Sequence, residues 1–287
     1  MAKKTAGNAS KKAIKSDKKV SEKSIETKSI GNPSNLKPLV FAALFAALTA
    51  AVAPFKIPLG FTPVPITLQT LVVLMSGAML GPYYGALAMI LYVVVGALGL
   101  PVFAGGGSGI GAILGPTGGY LMSYPIAAFA IGWIIHKKRT SSIVKYGSLF
   151  ILAILLLIVF SDLILNLGIM KIWSKEANSY VALVSLLTNM QRYIFALIGL
   201  AAIALLVGIA VYLINKKSVS LDTMLAMVVG TLVIYLFGAV WGKIVSQNLS
   251  WTIVFVGWVL PFIIGDTIKL LIAAYIAKTV NIRRYLK

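Results

Sequence analysis

The chain has no cysteine, one histidine and only seven acidic residues among 287. The missing cysteine excludes disulfides, thiolate metal sites and a cysteine nucleophile, while leaving the compartment open. No glycine-rich loop runs into Lys and then Ser or Thr. The one Gly-Lys pair, Gly242-Lys243, continues with Ile244, so no motif for ATP hydrolysis is present. Charge of either sign is scarce at 11%, against 59% hydrophobic residues and a mean hydropathy of +0.95. No soluble core of this size needs that much apolar surface, and the composition defines an all-α, polytopic membrane protein.

With so few acids, the position of one of them is informative. Asp266 lies inside the last long apolar segment, Trp251 to Lys278, with Lys269 three residues on and nearly on the same helix face. A charge at membrane depth costs a few kcal/mol or more and by default marks a ligand or ion site. The pair points to a small polar or ionised solute. No cofactor or metal is called for.

The net charge of +19 raises nucleic-acid binding, but the positions of the 26 basic residues decide against it. Ten fall in the first 38 residues, and others follow apolar spans at Lys137, Lys138 and Arg139, at Lys216 and Lys217, and at Arg283, Arg284 and Lys287. This is the positive-inside pattern. Residues 1–38 are Lys- and Ser-rich and lack the apolar content to fold, so a disordered cytoplasmic tail is expected. Eight apolar runs follow, at about 39–54, 66–81, 83–100, 117–135, 147–169, 193–214, 221–241 and 252–279, judged against the roughly 20 residues that cross a bilayer. Threaded from a cytoplasmic N-terminus, they place 20 basic residues inside and five outside, with both termini cytoplasmic.

The first run, followed by Ala51-Val52-Ala53, imitates a cleavable signal, but the basic tail is too long for one and further spans follow at once. The run carries two rows of small residues, Ala42, Ala46 and Ala50, and Ala43, Ala47 and Ala51. Such rows let another helix approach closely in lipid, although alanine is also simply common in packed membrane helices.

Two outer segments interrupt the apolar pattern. Pro54 to Pro65 holds four prolines, which stiffen the entry to the second run, and Thr67, Gln69 and Thr70 put polar groups at its outer end. Leu100 to Tyr120 holds eight glycines, including Gly105, Gly106 and Gly107. They allow backbone amides to approach a ligand, or serve a flexible hairpin.

Four stretches carry a resemblance: Thr62-Pro63-Val64-Pro65-Ile66-Thr67-Leu68-Gln69-Thr70, Gly99-Leu100-Pro101-Val102-Phe103-Ala104-Gly105-Gly106-Gly107, Leu114-Gly115-Pro116-Thr117-Gly118-Gly119-Tyr120, and Pro261-Phe262 with Gly265-Asp266 and Lys269. In this order they resemble the motifs of the BioY family, the substrate-binding membrane subunits of energy-coupling-factor biotin transporters. The resemblance covers about 37–136 and 222–284. It implies a six-helix core in the cell membrane that takes biotin from outside, with a membrane scaffold subunit and cytoplasmic ATPases as partners and the alanine rows as the scaffold contact. It also implies that Asp266 and Lys269 meet the biotin carboxylate, with Lys269 as the countercharge. Thr67, Gln69, Gly107, Ser108 and Tyr120 complete the expected ligand set.

The pattern departs from the family twice. Gly107 stands where some members carry a polar Asn, leaving backbone amides or Ser108 to substitute. Residues 140–217 add two apolar runs that split the core into 39–139 and 218–287. Asp162, with Asn166 one turn later, lies in the first of them, and pairing with Lys171 or Lys175 is expected ahead of a place in an accessory interface. Three readings stand: a biotin-binding subunit dependent on ATPases, a stand-alone carrier of biotin or another vitamin, and a non-transport scaffold or intramembrane protease. Gly106-Gly107-Ser108-Gly109 resembles a protease serine motif, but the sole imidazole, His136, belongs to the opposite, cytoplasmic end. The tryptophans suit interfacial anchoring, with Trp241, Trp258 or Tyr120 available to stack on ligand rings.

Overall fold

Gly81-Pro82 decides how the first half folds, because glycine reaches a left-handed turn that other residues resist and proline cannot continue a hydrogen-bonded helix. In the computed structural model, α2 (Gln69–Ala97) is helical throughout except at Gly81, where φ is +84°. There the chain reverses. A Cβ on Gly85 would lie 2.9 Å from the Cα of Gly77, and Gln69 bonds to Tyr92, contacts that a straight helix of 29 residues cannot make. α2 is therefore two antiparallel arms, 69–80 and 82–97, turning where the sequence expects its second and third runs to meet.

The structure describes 33–60, 62–136, 171–174, 179–182, 218–246 and 251–280, together with 249, 282 and scattered positions in 201–216. Met1–Lys37 is one unit and Pro38–Lys287 another; the site lies in the second. α1 (Pro33–Val52) opens the described chain. It begins inside the expected tail, which otherwise lies outside the described residues. A short antiparallel pair follows, β1 (Lys56–Ile57) with β2 (Ile66–Thr67), in the register Lys56 to Thr67. After α2 come a 3₁₀ turn at Ala104–Gly106, α3 (Gly109–Leu114) and α4 (Gly118–His136).

β3 (Lys171–Ser174) and β4 (Ser179–Ala182) form an antiparallel hairpin within the segment expected to hold only two added spans. The runs at 147–169 and 193–214, with Asp162, Asn166 and Lys175, lie wholly or largely outside the described residues. α5 (Leu221–Val245) precedes a last apolar segment in three pieces: α6 (Trp251–Trp258), a 3₁₀ turn at Leu260–Phe262 and α7 (Ile263–Thr279). Pro261 lacks the amide a continuous helix needs here, so the single expected span 252–279 is broken near the depth of the site.

Four described helical stretches are long and apolar enough to cross a membrane by length and composition alone: Gln69–Ala97, which the reversal at Gly81 divides into two arms, Gly118–His136, Leu221–Val245 and Ile253–Thr279. α1 is a shorter apolar helix over Leu36–Val52. Packing is densest between α2 and α4, then between α4 and α5, and small residues make it possible. A Cβ on Gly77 would lie 2.4 Å from the backbone oxygen of Ala128, and one on Gly132 would lie 2.4 Å from the backbone of Gly81 and Pro82. In lipid there is no hydrophobic drive between helices, so such close contact supplies the attraction. The core around Val73, Ala88, Met89, Ala127 and Ala128 is fully enclosed.

The two alanine rows of α1 separate. Ala42 is completely buried in the chain's own core, with Ala46 and Ala50 packed against it. Ala43, Ala47 and Ala51 face outward. Only the second row is open to another protein. The first is used internally, because one side of α1 must cover the bundle.

Candidate solute-binding site

The broken last helix places Asp266 in the first turn of α7, and helical spacing brings Lys269 back over it. The Lys269 Nζ to Asp266 Oδ1 distance is 2.7 Å, and the two residues are 5% and 7% exposed, respectively. Neighbouring elements complete their bonding. Tyr235 of α5 donates to Asp266 Oδ2 at 2.8 Å, and Thr70 of α2 donates to Oδ1 at 3.2 Å. Lys269 also donates to Thr70 Oγ1 at 3.2 Å. Three donors thus converge on one carboxylate, while the ammonium uses two of its three hydrogens. Lys269 keeps one N–H beyond its bonds to Asp266 and Thr70, at the border of the cavity described below.

A second network runs beside the first. Gln69 Nε2 donates to Tyr92, whose hydroxyl donates to the Val102 carbonyl at 3.1 Å. Gln69 Oε1 accepts from Thr67 at 3.2 Å and from Tyr124 at 3.5 Å. Gln69 is buried, and unmade bonds there would be costly. The network ties the start of α2 to its far end and to α4.

These residues border a cavity of about 170 Å³. Asp266, Lys269, Lys56, Thr67, Gln69, Thr70 and Thr117 supply its polar side chains, and Phe103, Tyr120, Tyr124, Phe262 and Ile234 line its apolar walls. Tyr92 packs edge-on against Phe103, with ring centroids 5.6 Å apart, and Tyr120 packs edge-on against Phe262 at 6.5 Å. A mostly apolar chamber with a few convergent polar groups is the usual form of a small-molecule site.

Glycines set the walls. The Tyr120 ring fills the space where Gly238 has no side chain, and its hydroxyl donates to the Trp258 carbonyl. Gly118 and Gly119 let α4 start against Ile113 and Trp241, and Trp241 Nε1 donates to the Gly115 carbonyl at 2.9 Å.

Of the residues expected from sequence, Asp266, Lys269, Thr67, Gln69, Gly107 and Tyr120 border this one cavity. Ser108 does not. It precedes α3 in extended conformation without a side-chain capping bond and is exposed. Neither Trp241 nor Trp258 reaches the lining; each braces a wall. Tyr235, Tyr124, Phe103 and Lys56 were not among the expected ligands. Phe103 falls within one of the motif stretches, whereas no spacing rule links Tyr235 to an acid 31 positions away.

His136 ends α4, its Nδ1 2.8 Å from the Gly132 carbonyl, and packs over Gly81. Ser108 precedes the other end of that 19-residue helix, a rise of about 27 Å. No Ser-His pair exists there for proteolysis.

Fold and site together define a helical protein of the multi-pass membrane class, built around a mostly apolar chamber that a buried ion pair borders. A family model described as the BioY family matches residues 22–197 and 196–285. The chain belongs to that family.

The probable biotin transporter BioY of Pyrococcus horikoshii is 49% identical over 103 residues, covering 36% of this chain and 62% of its own length. The biotin transporter BioY of Thermotoga maritima is 46% identical over 105 residues, 37% of this chain and 61% of its own. With these two, the match spans about three-fifths of the relative's length. The biotin transporter BioY of Lactococcus lactis is 34% identical over 161 residues, 55% of this chain and 82% of its own. A crystal structure of the S-component for biotin from an ECF-type ABC transporter superposes with a TM-score of 0.54 at 23% identity, covering 88% of this chain and 94% of that one. That likeness establishes the shared fold.

Proposed function

We propose that this protein binds biotin as the substrate-capturing subunit of an energy-coupling-factor transporter in the cell membrane, driven through a membrane scaffold by partner ATPases. The observation that carries the reading is the buried Asp266–Lys269 pair bordering a chamber with aromatic walls. Biotin is a fused bicyclic ring on an aliphatic chain that ends in a carboxylate. Its apolar body suits Phe103, Tyr120, Tyr124 and Phe262, and its carboxylate suits the remaining N–H of Lys269, which Asp266 and Thr70 hold in place. The relatives named as biotin transporters support the choice of solute.

The topology proposed with this reading has eight crossings and both termini in the cytoplasm, and it rests on the distribution of basic residues. The scaffold contact proposed is the outward row Ala43, Ala47 and Ala51, where small residues permit close helix approach.

Equilibrium binding of biotin to the purified protein tests the solute. Lys269→Ala is expected to weaken it by about 2 kcal/mol or more, as when a buried charge loses its partner. Absence of biotin binding by a folded sample would overturn the reading. Uptake in cells with and without a coexpressed ATPase module tests the coupling, and uptake undiminished without one would assign a stand-alone carrier instead.

A further inference from the structure

Lys56 borders the same cavity as Asp266 and Lys269, and it differs from Lys269 in two respects. It is exposed, which puts it at the solvent side of the chamber, and it makes no ion pair among the described residues. Asp266 and Lys269 neutralise each other across 2.7 Å. The other described acid, Asp222, lies in the first turn of α5, whereas the cavity residue Ile234 and the brace Trp241 lie further along that helix. Among the described residues, the lining holds one acid against two cations, and the uncompensated charge is that of Lys56.

Its position is fixed by backbone structure. Lys56 stands opposite Thr67 in the β1–β2 ladder, so both side chains leave the same face, and Thr67 is itself a lining residue. Gly105 receives the lysine stem: a Cβ there would lie 2.3 Å from both Cε and Nζ of Lys56. The Gly105 amide also donates to the Ala53 carbonyl at 3.1 Å. The Pro-rich segment and the glycine segment therefore meet at Lys56, over the opening.

We infer that Lys56 is a specificity-determining residue of this site: it gives the chamber its net positive charge and selects a monoanionic ligand over its neutral analogue. Lys269 receives the ligand oxygen at the buried end within an already neutral pair, while Lys56 draws the anion in and favours its charge. The inference rests on the carboxylate-ligand reading above. Its consequence is kinetic as well as thermodynamic, because charge at an opening raises the association rate and makes it salt-dependent.

The test measures affinity and association rate for biotin and for biotin methyl ester, at low and high salt, in wild type, Lys56→Gln and Lys56→Arg. Lys56→Gln is expected to weaken biotin by about fivefold, the scale of a partly solvated ion pair, to flatten the salt dependence of association and to leave the ester unchanged. Lys56→Arg keeps the wild-type preference. Equal losses for acid and ester in Lys56→Gln, or no loss for either, would overturn the assignment while leaving biotin binding standing. Failure of the wild type to bind biotin would instead overturn the ligand reading, and this inference with it.

Discussion

Removing either charge of the Asp266–Lys269 pair separates a structural role from a binding role, because the pair is buried and its remaining partners are known. In Lys269→Met the Asp266 carboxylate keeps Tyr235 and Thr70 as donors but loses its countercharge in a site where Asp266 is 5% exposed. Breaking a buried pair from one side costs about 3–5 kcal/mol, and the two surviving donors place this case near about 3 kcal/mol. In Asp266→Asn the ammonium keeps Thr70 and faces the cavity unpaired, with a loss of similar size. The double variant buries no net or isolated charge and should lose about 2 kcal/mol or less, since apolar replacement of a buried pair is often nearly neutral. Unfolding in detergent, followed as a double-mutant cycle in the absence of ligand, should give a coupling of at least about 2 kcal/mol. Additivity within about 0.5 kcal/mol would refute the reasoning, since charges 2.7 Å apart and out of water cannot be energetically independent.

Tyr235→Phe removes one hydrogen bond to Asp266 and should cost about 1–2 kcal/mol of stability, with a smaller loss in biotin affinity, read by denaturation and binding on one sample. Gly238→Ala pushes a methyl group into the Tyr120 ring and should cost about 1–3 kcal/mol; biotin affinity should fall with it, because that ring is a chamber wall. Gly81→Ala meets a positive φ and the His136 ring together, and thermal unfolding should show a loss of about 1–2 kcal/mol or more. Trp241→Phe removes the bond to Gly115, and hydrogen exchange of the glycine segment should quicken while that of α2 stays unchanged.

What the sequence revealed follows from what it could encode locally. Asp266 and Lys269 were legible because charge at membrane depth is rare and their spacing is helical. The reversal at Gly81-Pro82 was legible from backbone chemistry. Thr70 was legible as a polar group at the outer end of its run, but its contact with Asp266 was not, nor were Tyr235 and Tyr124, since the partners lie 196, 31 and 55 positions away and their helices are largely apolar. For the same reason the sequence could not say which alanine row of α1 faces inward: a helix passing through lipid needs no polar face, so its composition carries little phase. The β3–β4 hairpin escaped because its strands are four residues each and sit between long apolar runs that dominate any windowed reading.

The hairpin of α2 also sets how one wall of the chamber is held. Its two arms are tied together at the turn, where Gly132 lies against Gly81 and Pro82 and the His136 ring covers Gly81. At the other end they are joined through the Gln69–Tyr92 bond and its neighbours. The start of α2, which lines the chamber, is therefore braced by its own far arm, which contributes no lining residue itself.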